Sequence, residues 1–140
     1  MERWVVFAII SMVFAGFTAV VAKQGLTGIS GELGLAVRTC FVFVFVLAFA
    51  TVAVPRSQLA ALAPKNYLWL GLSALTTAAS WVFYYKAIKL GEVSTVALID
   101  KASFVVAVLL AWLVLGERIT PRILMGSAFI LTGLVIVSRR

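Results

Sequence analysis

The chain has 140 residues, of which 64% are hydrophobic, and a mean hydropathy of +1.14. Soluble domains contain about 45–50% apolar residues, so the composition excludes a soluble globular protein and predicts an all-α polytopic membrane protein. The net charge of +7 comes from Lys and Arg residues that mostly separate apolar segments. They read as topology determinants, which argues against a nucleic-acid partner. The absence of His and the single Cys40 exclude an intramolecular disulfide and argue against a transition-metal site or a thiol catalytic site. The sequence also has no paired carboxylates at useful spacing and no Gly-rich phosphate cradle, so neither an enzyme nor a cofactor is predicted.

The first apolar segment, residues 4–22, is predicted to be a transmembrane helix. Small residues that include Ser11 recur at three- and four-residue spacing and therefore share one helical face. Such a face allows close packing between membrane helices, or it lines a cavity; packing is the favoured interpretation. The Gly-rich stretch 23–34 then predicts a loop.

The second segment, residues 33–54, contains an alternating Phe-Val stretch at 41–46. Both residue types are apolar and the segment is twice the length of a membrane β-strand, so a helix is predicted. Arg38 lies in its first turns, where its charge either extends to the membrane surface or contacts an anion or carboxylate in a pore. Pro55 ends the segment, and one or two helical turns are expected within 56–65.

The third segment, residues 66–87, places hydroxyl and aromatic side chains together on one face. A lipid-facing stripe would be aliphatic, so this face is predicted to point inward. Its role is either hydrogen bonding between helices or a substrate wall. The residues concerned are Thr77, Ser80, Trp81 and Tyr84.

The fourth segment, residues 94–115, carries Asp100 and Lys101 inside an apolar stretch long enough, at about 33 Å, to cross a bilayer. An ionised side chain near mid-bilayer costs about 2.5–3.5 kcal/mol and usually has a function. Ser94 is predicted to be the N-cap. Lys101 can extend toward the surface, whereas Asp100 is too short to do so. Because sequence neighbours point about 100° apart, Asp100 is expected to need a partner from elsewhere, a pore water or a proton.

The fifth segment, residues 121–138, is preceded by a predicted tight turn at 116–121. Gly116 suits a left-handed helix end, Thr120 an N-cap and Pro121 the first helical position. Gly126 and Gly133 lie seven residues apart on nearly one face, so they are predicted to allow helix packing or a dimer contact.

The last three segments carry residues that resemble the EamA-type domain of the drug/metabolite transporter superfamily. The similar stretches are LeuThrThrAlaAlaSerTrpValPheTyrTyrLysAlaIleLysLeuGlyGlu, AspLysAlaSerPhe and LeuGlyGluArgIleThr. The resemblance implies a solute exporter built from ten helices in two inverted five-helix repeats, of which this chain would be one repeat over residues 1–140. The implied central cavity maps here onto Asp100, Lys101, Ser103, Thr77, Ser80, Trp81, Tyr84, Arg38 and Ser11.

A single repeat has a consequence for topology, because five crossings put the termini on opposite sides. With Arg38 and Lys101 left out, Lys and Arg number five on each side; crediting both to the second side makes it seven. The positive-inside bias is therefore weak or absent. The five on the N-terminal side are Arg3, Arg56, Lys65, Arg118 and Arg122, and those opposite are Lys23, Lys86, Lys89, Arg139 and Arg140.

Two copies inserted in opposite orientations would rebuild an inverted repeat with a site near the bilayer midplane. The expected protein is an antiparallel dual-topology homodimer in the cell (inner or plasma) membrane that moves a small-molecule solute by alternating access. One alternative is a non-transporting or partner subunit of a heteromeric carrier, such as a lipid-carrier flippase. Another is a structural membrane protein, for which no solute would shift the melting temperature.

Overall fold

The computed structural model describes residues 2–138, which form helices and short connections with no strand. The charged residues Arg139 and Arg140 lie outside the described residues. The chain divides into two compact units, Met1–Leu90 and Gly91–Arg140. The first holds α1 (Arg3–Gly25), α2 (Gly31–Ala53), α3 (Arg56–Leu59) and α4 (Pro64–Leu90), and the second holds α5 (Val93–Lys101), α6 (Ser103–Leu115) and α7 (Pro121–Ser138).

Local capping explains where several helices begin and end. The Ser30 hydroxyl accepts a hydrogen bond from the Leu33 N–H at 3.2 Å and so caps α2. Gly116 ends α6 in the left-handed conformation, with φ of 68°, and the Thr120 hydroxyl accepts from the Ile123 N–H at 3.4 Å. Both features of this turn confirm the sequence prediction. The predicted N-cap Ser94 is wrong, because the N-cap of α5 is Glu92, two residues earlier, and the helix begins at Val93.

The first unit is held together where the end of α1, the start of α2 and the end of α4 meet. The buried residues in this region are Leu26, Gly31, Tyr85 and Ile88, and Ile88 is fully enclosed. Gly31 makes the closest approach to another backbone, because a Cβ at this position would lie 2.9 Å from the Tyr85 carbonyl oxygen. The packing of α2 against α4 therefore depends on the absence of a side chain at residue 31.

The second unit differs from the prediction of one continuous helix over 94–115. The helix is interrupted at Ala102, whose N–H donates to the Ile99 carbonyl at 2.9 Å, while the Val105 N–H donates to the Ala102 carbonyl at 3.0 Å. These bonds span three residues instead of four, which is the tighter pattern of a 3₁₀ turn. The backbone nevertheless stays right-handed, with φ of −61° and ψ of −16° at Ala102, so α5 and α6 form one interrupted rod.

Three stretches of the described chain are long and apolar enough to cross a membrane: Arg3–Gly25, Gly31–Ala53 and Val93–Leu115. Few of their side chains are buried inside the molecule. Apolar side chains exposed along their length are best solvated by lipid tails. The predicted all-helical membrane fold is therefore confirmed in its class, with α4 less apolar than these three and α7 shorter.

We predict that Gly31→Ala lowers the stability of the first unit. The added methyl group would meet the Tyr85 backbone, which cannot rotate away as a side chain can, so α2 and α4 must separate. Overpacking of this kind costs about 1–3 kcal/mol. Thermal unfolding of the purified protein in detergent, followed by circular dichroism, measures the effect.

The matched control is Gly71→Ala in α4, where a Cβ would have no neighbour within 4 Å. Replacing a helical glycine in open space removes its conformational cost and stabilises by about 0.5–1 kcal/mol. The two variants are therefore expected to shift the melting temperature in opposite directions. Equal melting temperatures for both would contradict the close approach.

Candidate substrate-binding site

Two lysines connect the ends of α1 and α4 in a reciprocal way. Lys23, in the last turn of α1, donates to the carbonyl of Ile88, and Lys89, in the last turn of α4, donates to the carbonyl of Leu26 at 2.8 Å. Carbonyl groups at a helix C-terminus lack a partner within the helix, and a cation there is favourable. Each lysine thus donates to a carbonyl group at the end of the other's helix, and the two bonds hold the ends of α1 and α4 together.

Arg38 lies two turns along α2 from Gly31 and faces the aromatic side chains of α4. Its guanidinium carbon is 4.6 Å from the ring centroid of Trp81 and 5.9 Å from that of Tyr85. Cation–π contacts of this kind contribute about 0.5–2 kcal/mol, more when they are shielded from water. The Arg38 side chain is therefore held over α4 by its aromatic neighbours.

Two clefts border this aromatic contact within the first unit. The larger, of about 720 Å³, lies between α1 and α2, and Arg38 is the sole charged residue of its lining. The smaller, of about 460 Å³, lies between α2 and α4 and includes Thr77 and Trp81. Both volumes fall in the range of about 300–1,000 Å³ that is usual for small-molecule sites.

Only two of the four residues on the predicted inward face of α4 line a cleft in the structure. Thr77 and Trp81 line the smaller cleft, but the Thr77 hydroxyl donates to the Ser73 carbonyl at 2.8 Å, so its proton is already used. Ser80 is exposed and lines neither cleft. Tyr84 lies edge-on to Tyr85, with ring centroids 6.4 Å apart. Their role in binding stays a prediction.

The polar stretch of the second unit lies at the interruption between α5 and α6. Asp100 is half-buried, and Lys101 and Ser103 are exposed. The Lys101 ammonium lies 4.0 Å from the nearer Asp100 carboxylate oxygen, the outer limit of an ion pair. Whether Asp100 also needs a partner from elsewhere, a pore water or a proton stays a prediction. The flexible lysine stem lets two sequence neighbours reach each other although their Cβ atoms point apart.

The remaining predicted positions, Ser11, Gly126 and Gly133, lie on open surfaces. Ser11 is exposed on α1 and lines neither cleft. A Cβ built at Gly126 or at Gly133 would have no described neighbour within 4 Å. The face of α7 that carries both glycines is thus available for close contact with lipid or with another chain.

Three features of the first unit were missed by sequence reasoning: the Gly31 contact, the reciprocal lysines and an ion pair between Lys86 and Glu32 at 3.4 Å. A signal existed for the ion pair, because a carboxylate at the start of α2 and an amine at the end of α4 are complementary if the helices run antiparallel. No group of three His, Cys, Asp or Glu side chains that could hold a metal ion occurs among the described residues.

Comparison with known proteins gives one family and one informative relative. The model of the EamA-like transporter family matches residues 2–139. The chain is 32% identical over 137 residues to a Sinorhizobium sp. protein described as an "Uncharacterized transporter in cobO 3'region", with 98% of this chain and 97% of that protein covered. No solved structure matches the chain.

We predict that Lys89→Met lowers stability by about 1 kcal/mol, because the Leu26 carbonyl loses a charged donor while the apolar stem is kept. Lys65→Met removes the same charge at the opposite end of α4 and serves as the control. The midpoint of thermal unfolding is expected to fall only for the Lys89 variant. A similar midpoint for both variants would show that the lysine bond to α1 contributes nothing.

Proposed function

Because the chain belongs to the EamA-like transporter family, we propose that it exports a small-molecule solute across the cell membrane as an antiparallel dual-topology homodimer. The family match over residues 2–139 carries the assignment as a multi-pass membrane transporter rather than an enzyme. The relative that shares almost its whole length is also described as a transporter. Direction, dimer and mechanism are the parts that the proposal adds.

The proposed fold has five crossings, with α4 and α7 added to the three strongly apolar stretches. At about 1.5 Å per residue, the 27 residues of α4 extend about 40 Å, more than a bilayer core needs. The 18 residues of α7 extend about 27 Å, which nearly spans it. The moderate polarity of α4 suits a helix whose hydroxyl and aromatic face borders a cavity instead of lipid.

Asp100 and Lys101 are proposed to take part in solute recognition during alternating access. They stand within a membrane-crossing stretch, where ionised groups are costly unless they face protein, water or substrate. The adjacent 3₁₀ turn at Ala102 supports a hinge, since a tightened turn inside a long helix often marks one. Interrupted helices near the midplane also form the binding sites of transporters built from inverted repeats.

Three observations favour the pairing of this chain with a second copy of itself. Large apolar side chains are exposed along the helices of the chain alone, and few are buried. The glycine face of α7 has open space beside it. The balanced Lys and Arg count permits insertion in both orientations.

We predict that Asp100→Asn and Lys101→Ala each reduce solute flux in proteoliposomes by about tenfold or more, equivalent to about 1.4 kcal/mol in the transport barrier. The solute is chosen as a metabolite that raises the melting temperature of the purified protein, since a ligand that binds the folded state stabilises it. Both variants are expected to keep the helical content of the parent.

The matched control is the neighbouring acid–base pair of the turn between α6 and α7, changed as Glu117→Gln and Arg118→Lys, the latter because it keeps the positive charge of the turn. These side chains are exposed and lie outside the apolar stretches. They are expected to leave flux unchanged. Parental flux in both the Asp100 and the Lys101 variants would remove the two residues from the transport pathway.

We predict that reporter tags at either terminus are found on both sides of the membrane in similar amounts, because neither orientation has an excess of positive charge. Compartment-specific labelling of each tag in intact cells measures the ratio. A single fixed orientation would contradict the dual topology.

Orientation-fixed variants sharpen the test. Ser57→Lys with Gln58→Lys adds two positive charges on the proposed N-terminal side, and Thr27→Lys with Leu90→Lys adds two on the opposite side. Each pair should fix the orientation and reduce flux when expressed alone, whereas co-expression should restore it. Full flux from one fixed variant alone would show that antiparallel pairing is not required.

A further inference from the structure

The larger cleft of the first unit combines an apolar lining with a single cation. Phenylalanine rings from both helices line it, namely Phe14, Phe17, Phe41 and Phe45, together with Leu26 and Tyr85. The Phe41 and Phe45 rings are stacked, with centroids 6.3 Å apart. Arg38 supplies the one charge of the lining.

The Arg38 guanidinium lacks an anionic partner among the described residues. The nearby carboxylate of Glu32 is paired with Lys86 at 3.4 Å, and the contacts of Arg38 are with the rings of Trp81 and Tyr85. An aromatic ring does not neutralise a guanidinium, whose several N–H donors are arranged to match a planar anion. A carboxylate can accept two of these bonds in parallel.

The position of Arg38 separates this site from an ordinary surface charge. It lies seven residues, or about 10 Å, along α2 from Gly31, and it is half-buried. A charge at this depth is costly unless it is paired, so an anion in the cleft would remove a penalty as well as add hydrogen bonds. The aromatic wall selects a partner with an apolar, ring-bearing body.

We propose that the cleft between α1 and α2 binds a compact organic monoanion, with its carboxylate on Arg38 and its ring among the four phenylalanines. Resting on the proposed transport function, this ligand class is that of the solute. The volume of about 720 Å³ matches a drug-sized molecule.

The test is isothermal titration calorimetry on the protein in phosphatidylcholine nanodiscs. Three probes share one body and differ in charge: 4-phenylbutyrate, the neutral 4-phenylbutyramide and the cationic 4-phenylbutylamine. The carboxylate is expected to bind about tenfold more tightly than the amide, and the amine not to bind. Equal affinities for all three, or no binding of the carboxylate, would overturn the proposal.

Variants assign the effect to the cleft. Arg38→Gln should remove the preference for the carboxylate, Arg38→Lys should restore part of it, and Phe45→Ala should weaken both the carboxylate and the amide. Arg122→Gln, at the start of α7, removes the same charge at a residue that is not part of the cleft lining, and it should change neither the carboxylate preference nor the affinity for the two probes. A carboxylate preference that survives in Arg38→Gln would contradict the site.

A second lipid composition tests whether the bound apolar anion is a free solute or an anionic lipid. The protein in nanodiscs that contain phosphatidylglycerol should bind 4-phenylbutyrate with the same affinity as in phosphatidylcholine alone. Loss of that binding in phosphatidylglycerol, together with Arg38-dependent enrichment of this lipid, would make the cleft a lipid site and overturn the proposal. Because binding is measured without flux, failure here leaves the transport function standing, and failure of the flux test leaves the anion site standing.

Discussion

The close approach of Gly31 to the Tyr85 backbone sets the geometry of the first unit. Gly31 and Arg38 are two turns apart on α2, and Tyr85 and Trp81 are about one turn apart on α4. Because the helices run in opposite directions, contact at Gly31 brings the next turns together and places Arg38 against Trp81. A side chain at residue 31 would move this entire register, and with it both clefts.

The basic residues of the first unit differ in whether they bind a carbonyl or carboxylate group of the protein. Lys23 and Lys89 bond to helix carbonyls, and Lys86 pairs with Glu32. These three cations stabilise helix ends or an ion pair and so have structural partners. Among the described residues, Arg38 has aromatic partners alone. It also lies further from the nearer end of its helix than each of the three lysines does from the end of its own. The arrangement keeps a cation in an apolar cleft without neutralising it.

The fold class followed from the sequence because membrane helices leave a strong signal in one dimension. Long apolar segments separated by Gly, Pro and basic residues predicted the helices, and Gly116 and Thr120 predicted the turn before α7. The break at Ala102 left no such signal, since Ala is a good helix former and the break is defined by its hydrogen bonds. The Gly31 contact was hidden for a related reason: in a Gly-rich loop, one glycine that packs cannot be told from others that only turn.

The site was less predictable than the fold because it depends on which helices are neighbours. Thr77, Ser80, Trp81 and Tyr84 share a face in sequence, yet only the two that meet α2 border the smaller cleft. The sequence left open whether Arg38 extends to the surface or meets an anion, and that choice stays a prediction. The structure adds a contact that the sequence did not predict, because Trp81 and Tyr85 hold the guanidinium over α4. The aromatic residues of α4 therefore position the one charged side chain in the lining of the cleft between α1 and α2.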